Sequence, residues 1–142
     1  RHKCPYIIMH MKGDPKNMQS LTDYENLIRE VNSFFVERLN YLRGIGINDI
    51  IIDPGFGFSK TIEQNYELLD KMQMLTYHGA PVLAGLSRKS MIYKALGITP
   101  EESLNGTTAL NTIALMKGAG ILRVHDVKEA VEVVRIFGKL VM

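Results

Sequence analysis

The sequence predicts an α/β fold built from four βα units, and three observations carry that reading. Four short apolar runs, Tyr6–Met9, Ile50–Ile52, Val82–Ala84 and Ile121–Val124, alternate with longer stretches of helical periodicity. Each run is continuous rather than strictly alternating, the pattern of a parallel strand covered on both faces. Each run also ends in polar or charged residues, which places hydrogen-bonding groups at the carboxyl end of every predicted strand.

The elements follow in chain order. After Tyr6–Met9 comes the loop His10-Met-Lys-Gly-Asp-Pro15, and then Thr22-Asp-Tyr-Glu25 reads as a capping box. Tyr24, Leu27, Ile28, Val31, Phe34, Phe35 and Leu39 form the apolar stripe of the helix it opens, which should stop at Gly44. After the second strand, Thr61-Ile-Glu-Gln64 is another capping box, with Tyr66, Leu69 and Met72 on the buried side. The third strand leads into a short helix, Met91–Leu96. Thr99-Pro-Glu-Glu102 then combines a capping box with proline at the first helical position, and Asn105-Gly106 predicts a break before the helix running to Met116. Asp126 is the expected cap of a last helix that buries Val127, Ala130, Val131, Val134 and Phe137.

Successive βα units permit an open doubly wound sheet or half of a closed eight-stranded barrel. The loop after the first strand matches neither a dinucleotide fingerprint nor a P-loop. A barrel sets its chemistry on the loops after every strand, at one face, and this chain has polar residues after all four. The pattern therefore favours half of a (β/α)8 TIM barrel, one domain over residues 1–142.

Composition narrows the function classes. The chain has 46% hydrophobic and 23% charged residues, as in soluble domains, and a net charge of +2. That charge is too small to argue for nucleic acid or an anionic membrane surface. No apolar stretch approaches the roughly 18–20 residues of a bilayer span. Cys4 is the single cysteine, so no internal disulfide forms, and a cytoplasmic setting is the expectation. The opening residue is not methionine and an apolar run follows almost at once, as in a cut through a longer protein.

The run Asp53-Pro-Gly-Phe-Gly-Phe-Ser-Lys60 carries the strongest chemical signal. It sets a carboxylate, bare glycine backbone, two aromatic rings and a lysine after a buried strand, equipment for a flat, donor-rich ring. Asp-Pro-Gly is also an ordinary turn, and Phe56 and Phe58 fit a core as well as a ligand. Ser87-Arg88-Lys89-Ser90 lies between strand and helix, where backbone N–H groups and two cations suit an anion, or else form a solvated basic turn. Gly85 just before it permits close approach of a flat ligand. Arg123-Val-His125 alternates, so both side chains share one side of an extended segment, a fork for phosphate oxygens beside a donor that charges near neutrality. His10 reads as a strand terminus, and His2 and His78 as surface residues. No set of residues has metal-ligand spacing, and no Ser-His-Asp or Cys-His order stands out.

Taken together, Ile8-Met9-His10-Met11, Asp53–Lys60, Gly85-Leu-Ser-Arg-Lys-Ser-Met91 and Arg123-Val-His-Asp-Val127 resemble the dihydropteroate synthase family of bacterial folate synthesis, in order and over essentially the whole chain. The resemblance implies a (β/α)8 barrel of nearly twice this length, of which this chain is similar to strands five to eight. It implies the condensation of 7,8-dihydropterin-6-ylmethyl diphosphate with 4-aminobenzoate. Asp53 would hold the pterin donors and Lys89 the ring's acceptor side, while Met9 and Gly85 line the flat pocket and Gly57 joins the substrate contacts. Arg123 and His125 would hold the diphosphate, and Arg88, Phe58 and Ser90 would flank the aminobenzoate. The catalytic set expected on this basis is Lys89, Asp53, Arg123 and His125. Magnesium is expected with ligands from the other half of the barrel and none from this chain. The same barrel and carboxylate occur in pterin-binding methyltransferases, but the Gly-Phe-Gly-Phe-x-Lys and Ser-Arg-Lys-Ser elements argue for the synthase. A non-catalytic half-barrel acting in binding or assembly is the reading from another class. Four strands cut from a barrel leave two edges, so a homodimer, inactive alone, is the further expectation.

Overall fold

The computed structural model describes residues 4–14 and 16–141; Arg1, His2, Lys3, Pro15 and Met142 lie outside them. Four parallel strands, β1 (Tyr6–Met9), β2 (Ile50–Asp53), β3 (Val82–Ala84) and β4 (Ala119–Leu122), form one sheet in the order β1-β2-β3-β4. The helices are α1 (Leu27–Gly44), α2 (Ile62–Asp70), α3 (Ser90–Leu96), α4 (Leu104–Met116) and α5 (Val127–Gly138), with a 3₁₀ stretch over Met72–His78. Sequential order with every strand parallel is the arrangement of half a (β/α)8 barrel.

Strand register sets the site. Ile8 lies level with Ile52, and Met9 with Asp53, so adjacent strands deliver those side chains at the same height. Ile8, Ile52, Val82 and Ala84 face the helices and share a core with Val31, Phe35, Leu68 and Met72. Burying a side chain the size of Phe35 or Ile52 contributes roughly 1.5–3 kcal/mol. Ile7, Ile51 and Asp53 point to the other face, as the twofold alternation of a strand demands.

Element boundaries differ from expectation at α1, α4 and β4, the first two because of contacts with other segments of the chain. Helix α1 starts one turn late, capped by Asn26, whose side chain accepts from Arg29 N at 2.9 Å while Glu30 accepts from Asn26 N at 3.2 Å. Thr22 and Asp23 are held out of the helix, because Gln64 Nε2 donates to the Thr22 carbonyl and Lys12 Nζ to that of Asp23. Asn105-Gly106 does not break α4. A Cβ on Gly106 would sit 2.4 Å from Ile92 Cγ2, so this glycine admits close packing of α3 on α4 instead. Strand β4 begins at Ala119, two residues before the predicted run.

The last helix departs most from the apolar stripe read in the sequence. Ala130 and Val133 are buried, but Val127, Val131 and Val134 are exposed. With Leu122 and Val124 they line an open apolar groove along the β4 edge. Ile7, on the opposite edge strand, is 51% exposed. His78 is half-buried rather than superficial: Nε2 lies 2.9 Å from Asn32 Oδ1 and the ring packs near Phe35.

Candidate functional site

The carboxyl ends of β2 and β3, with the segment after β4, bring charged groups onto one mouth. Asp53 closes β2 and is only 2% exposed. Its Oδ1 accepts from Gly55 N at 2.8 Å, and its Oδ2 lies 3.6 Å from Arg123 Nη2. Gly85 makes that second contact possible. A Cβ there would come within 2.8 Å of Arg123 Nη2 and 3.1 Å of its Nε, so the guanidinium crosses the bare end of β3 to reach the carboxylate.

Lys89 reaches the same place from the loop after β3. Its Nζ donates to the Phe56 carbonyl and stands 4.9 Å from the centre of the Phe58 ring, a cation–π arrangement. Burial pushes this ammonium down to about 8, with Asp53 opposing the fall and Arg123 adding to it. Gly57, with φ of +80°, keeps its Cα clear of the lysine stem; a Cβ would lie 3.3 Å from Lys89 Cδ. The two phenylalanines divide their roles: Phe56 is wholly buried in the core, whereas Phe58 is half-buried at the mouth. Met9, level with Asp53, is likewise half-buried.

Arg88 and His125 sit in a second group, with Ser87 and Asp126. Arg88 has φ of +55° and pairs with Asp126 through two contacts, Nε to Oδ2 at 3.1 Å and Nη2 to Oδ1 at 2.5 Å. Asp126 therefore stands at the N-cap position of α5 without a capping bond, its carboxylate already engaged, and this pairing holds it below the usual carboxylate range. Ser87 Oγ accepts from the backbone N–H of His125 at 3.2 Å and lies 2.9 Å from its Nδ1. Ser90 opens α3. The two cations of the Ser-Arg-Lys-Ser segment are thus not left over the start of α3: Lys89 turns towards Asp53 and Arg88 towards Asp126.

The sequence groups Lys60 with the ring-binding equipment of its loop, but the structure buries it beneath that loop. It is 6% exposed, and its Nζ meets three acceptors: His10 Nδ1 at 3.0 Å, the Gly55 carbonyl at 3.1 Å and the Phe58 carbonyl at 3.0 Å. The available signal was a long cation closing a glycine turn whose carbonyls lack helix or strand partners. His10 is no mere strand terminus either; it is 4% exposed and stands edge-on to Phe34. Burial, with Lys60 and Lys12 nearby, drives the imidazole down to about 3. Asn65, unremarked in the sequence, is buried and accepts from Gly57 N at 2.7 Å. Among the described residues, no group of three or more His, Cys, Asp or Glu side chains could hold a metal ion.

This geometry has close parallels among known proteins. Dihydropteroate synthase of Escherichia coli is 44% identical over 134 residues, a match covering 93% of this chain and 48% of that protein. A crystal structure of Yersinia pestis dihydropteroate synthase with a sulfonamide drug complex superposes with a TM-score of 0.92 at 42% identity, covering 96% of this chain and 50% of that one. Xanthomonas albilineans dihydropteroate synthase with 4-aminobenzoic acid gives 0.88 at 37% identity, covering 97% and 50%. The chain spans about half the length of the curated relatives it matches. The family described as pterin binding enzyme matches residues 1–125, through all four strand-end motifs as far as His125, and the chain belongs to that family.

Proposed function

We propose that this chain supplies the ring-binding and diphosphate-binding half of a dihydropteroate synthase. The observation that carries the reading is the meeting of Asp53, Lys89 and Arg123 over the bare backbone of Gly85. A carboxylate that is almost wholly buried suits two adjacent N–H donors on the edge of a pterin, and Lys89 offers a donor to the ring's acceptor side. Met9, Gly57 and Gly85 would flank the ring, with the Arg123 guanidinium that lies across Gly85 moving aside for it. Arg123 and His125 receive the diphosphate, and Phe58, Arg88 and Ser90 flank the 4-aminobenzoate.

The chemistry needs no strong base. The methylene C–O bond breaks with its electron pair leaving on diphosphate. The aniline nitrogen's lone pair forms the new C–N bond, and that nitrogen then loses one proton to solvent. Cations at the leaving group stabilise the charge that develops there. Magnesium, which the resemblance implies, would take its ligands from the other half of the barrel and offset charge on the diphosphate.

The two sheet edges and the apolar groove on α5 are the surfaces that four further βα units would cover; without them we expect no turnover and self-association as a homodimer. No described helix is long and apolar enough to cross a membrane. Together with the free Cys4, that is compatible with the cytoplasmic placement we propose. The test is dihydropteroate formation by this chain mixed with the first four βα units of the Escherichia coli relative. Asp53→Asn and Lys89→Ala should each lower the rate about 100-fold, the loss expected for a charge-assisted contact of roughly 2–3 kcal/mol. Near-normal turnover in either variant refutes the assignment. Calorimetry should show Arg123→Lys weakening diphosphate more than pterin, because the fork is lost while the charge remains.

A further inference from the structure

Lys60 and His10 stand beneath the loop that presents Phe56 and Phe58, and their contacts are complete. An ammonium has three hydrogens, and Lys60 Nζ has three acceptors at 3.0–3.1 Å: one ring nitrogen and two carbonyls of its own loop. The match requires His10 Nδ1 to accept, so the neutral imidazole carries its proton on Nε2. His10 is itself fixed, its backbone N–H donating to the Asp53 carbonyl at 3.0 Å. The loop's far end is pinned separately, where Ser59 takes φ of +46°, its Oγ accepts from Lys12 N at 2.7 Å and its carbonyl accepts from Tyr24 Oη at 3.0 Å. Between these pins, the Gly55 and Phe58 carbonyls have Lys60 for a partner, an ionic one below its folded value of about 7. Lys89 makes its contacts with the same short segment, through the Phe56 carbonyl and the Phe58 ring.

We infer that Lys60, with His10 as its acceptor, is a positioning residue of this loop: alongside Asn65, which accepts from Gly57 N, it fixes the Pro54–Ser59 turn so that the turn holds the Lys89 ammonium beside Asp53. The link to substrate rests on the function proposed above, but the positioning itself does not. Lys60 touches no open part of the mouth and acts only through the loop. The charged and titratable groups around it are His10 and Lys12 from the segment after β1, Asp53 at the end of β2, and Lys89 from the segment after β3. Glu30 on α1 pairs with Lys12 at 2.8 Å and so faces the cluster from the outside.

The experiment uses the 142-residue chain with ¹³C-labelled lysine side chains, titrated by NMR, together with amide exchange. In Lys60→Met, the Lys89 titration should move up by about one pH unit towards the ordinary lysine value as the loop loosens and water reaches the ammonium. Exchange at the Phe58 amide, which donates to the Gly55 carbonyl, should quicken about tenfold or more. The Ile52 amide, bonded to the Pro81 carbonyl, should keep its protection, which a general loss of stability would not allow. His10→Leu removes one acceptor of three and should give the same changes in smaller degree, and it decides the matter if Lys60→Met fails to fold. A folded variant in which Lys89 titrates as in the parent chain overturns the inference. So does an Nδ1–H tautomer of His10 in the unsubstituted chain, read from its ring ¹⁵N shifts. None of these readouts uses a substrate, so failure of the proposed function would show separately, as a loss of ligand binding with the loop intact.

Discussion

The loop after β2 and the helix after β4 make opposite use of their residues. In the loop, buried polar groups find partners within the chain: Asp53 has Gly55 N and Arg123, Lys60 has three acceptors, and Gly57 N has Asn65. On α5, the polar cap is spent on Arg88, and Val127, Val131 and Val134 face outwards with nothing packed on them. The difference is one of completeness. Buried charge has to be matched where it lies, because an unpaired buried ion costs several kcal/mol. An apolar stripe can stay uncovered at modest cost until another surface arrives.

Four experiments test that contrast. The largest effect is expected from Gly55→Ala. Gly55 has φ of +72°, and a Cβ would come 2.0 Å from the His10 carbonyl oxygen, a backbone atom that cannot swing aside. Urea unfolding should show a loss of about 4 kcal/mol or outright failure to fold; a loss under about 1 kcal/mol would mean that the loop is far softer than described. Next comes pH. His10 has a folded value of about 3 against an ordinary 6.5, so the unfolded chain takes up a proton that the folded chain refuses. The associated stability is fully present above 6.5 and is lost as pH falls towards 3, on the order of 4–5 kcal/mol. Chemical denaturation at several pH values should show this slope, and His10→Leu should flatten it.

Lysines of depressed value act in the same direction higher up the scale. Lys60, pushed by burial to about 7, makes stability rise with pH between there and the ordinary lysine range, because only the unfolded chain remains protonated in that window. A smaller effect is expected at Gly106, where Ala gains helix propensity but meets Ile92; thermal unfolding should register a net cost of about 1–2 kcal/mol. The smallest is on α5. Val131→Ser or Val134→Ser should change the stability of the chain by less than about 0.5 kcal/mol. Sedimentation should nonetheless show weaker self-association, and unchanged association would place the contact elsewhere.

The sequence made the sheet legible because its strands are short and apolar on both faces. Strand β1, strand β3 and the Thr61–Gln64 capping box lie where periodicity and capping chemistry put them. The polar ends of those strands could be read for the same reason: a charge after a buried run must have a use. What escaped was tertiary. Thr22–Glu25 is a sound local cap overruled by two hydrogen bonds from distant loops, and Asn105-Gly106 is a sound local break overruled by helix packing. Lys60 stood in full view inside the most informative motif. Its work depends on His10, fifty residues earlier, which no local pattern connects to it. The α5 stripe is apolar as expected, and Ala130 is buried, but Val127, Val131 and Val134 are exposed, since a stripe records that a partner surface is wanted but not whose it is.

The Arg123 guanidinium lying across Gly85 also bears on which ligands can reach Asp53. Asp53 has a resident cation, the Arg123 guanidinium, 3.6 Å away. Any incoming ligand must therefore compete with the protein itself for that carboxylate. A lone amine or a simple monovalent cation offers no more than the arginine it would displace, and it gains little by the exchange. A planar molecule with two aligned donors can take both carboxylate oxygens and release the side chain. The chain thus carries its own competitor, which sets a threshold that only a correctly shaped ligand can cross.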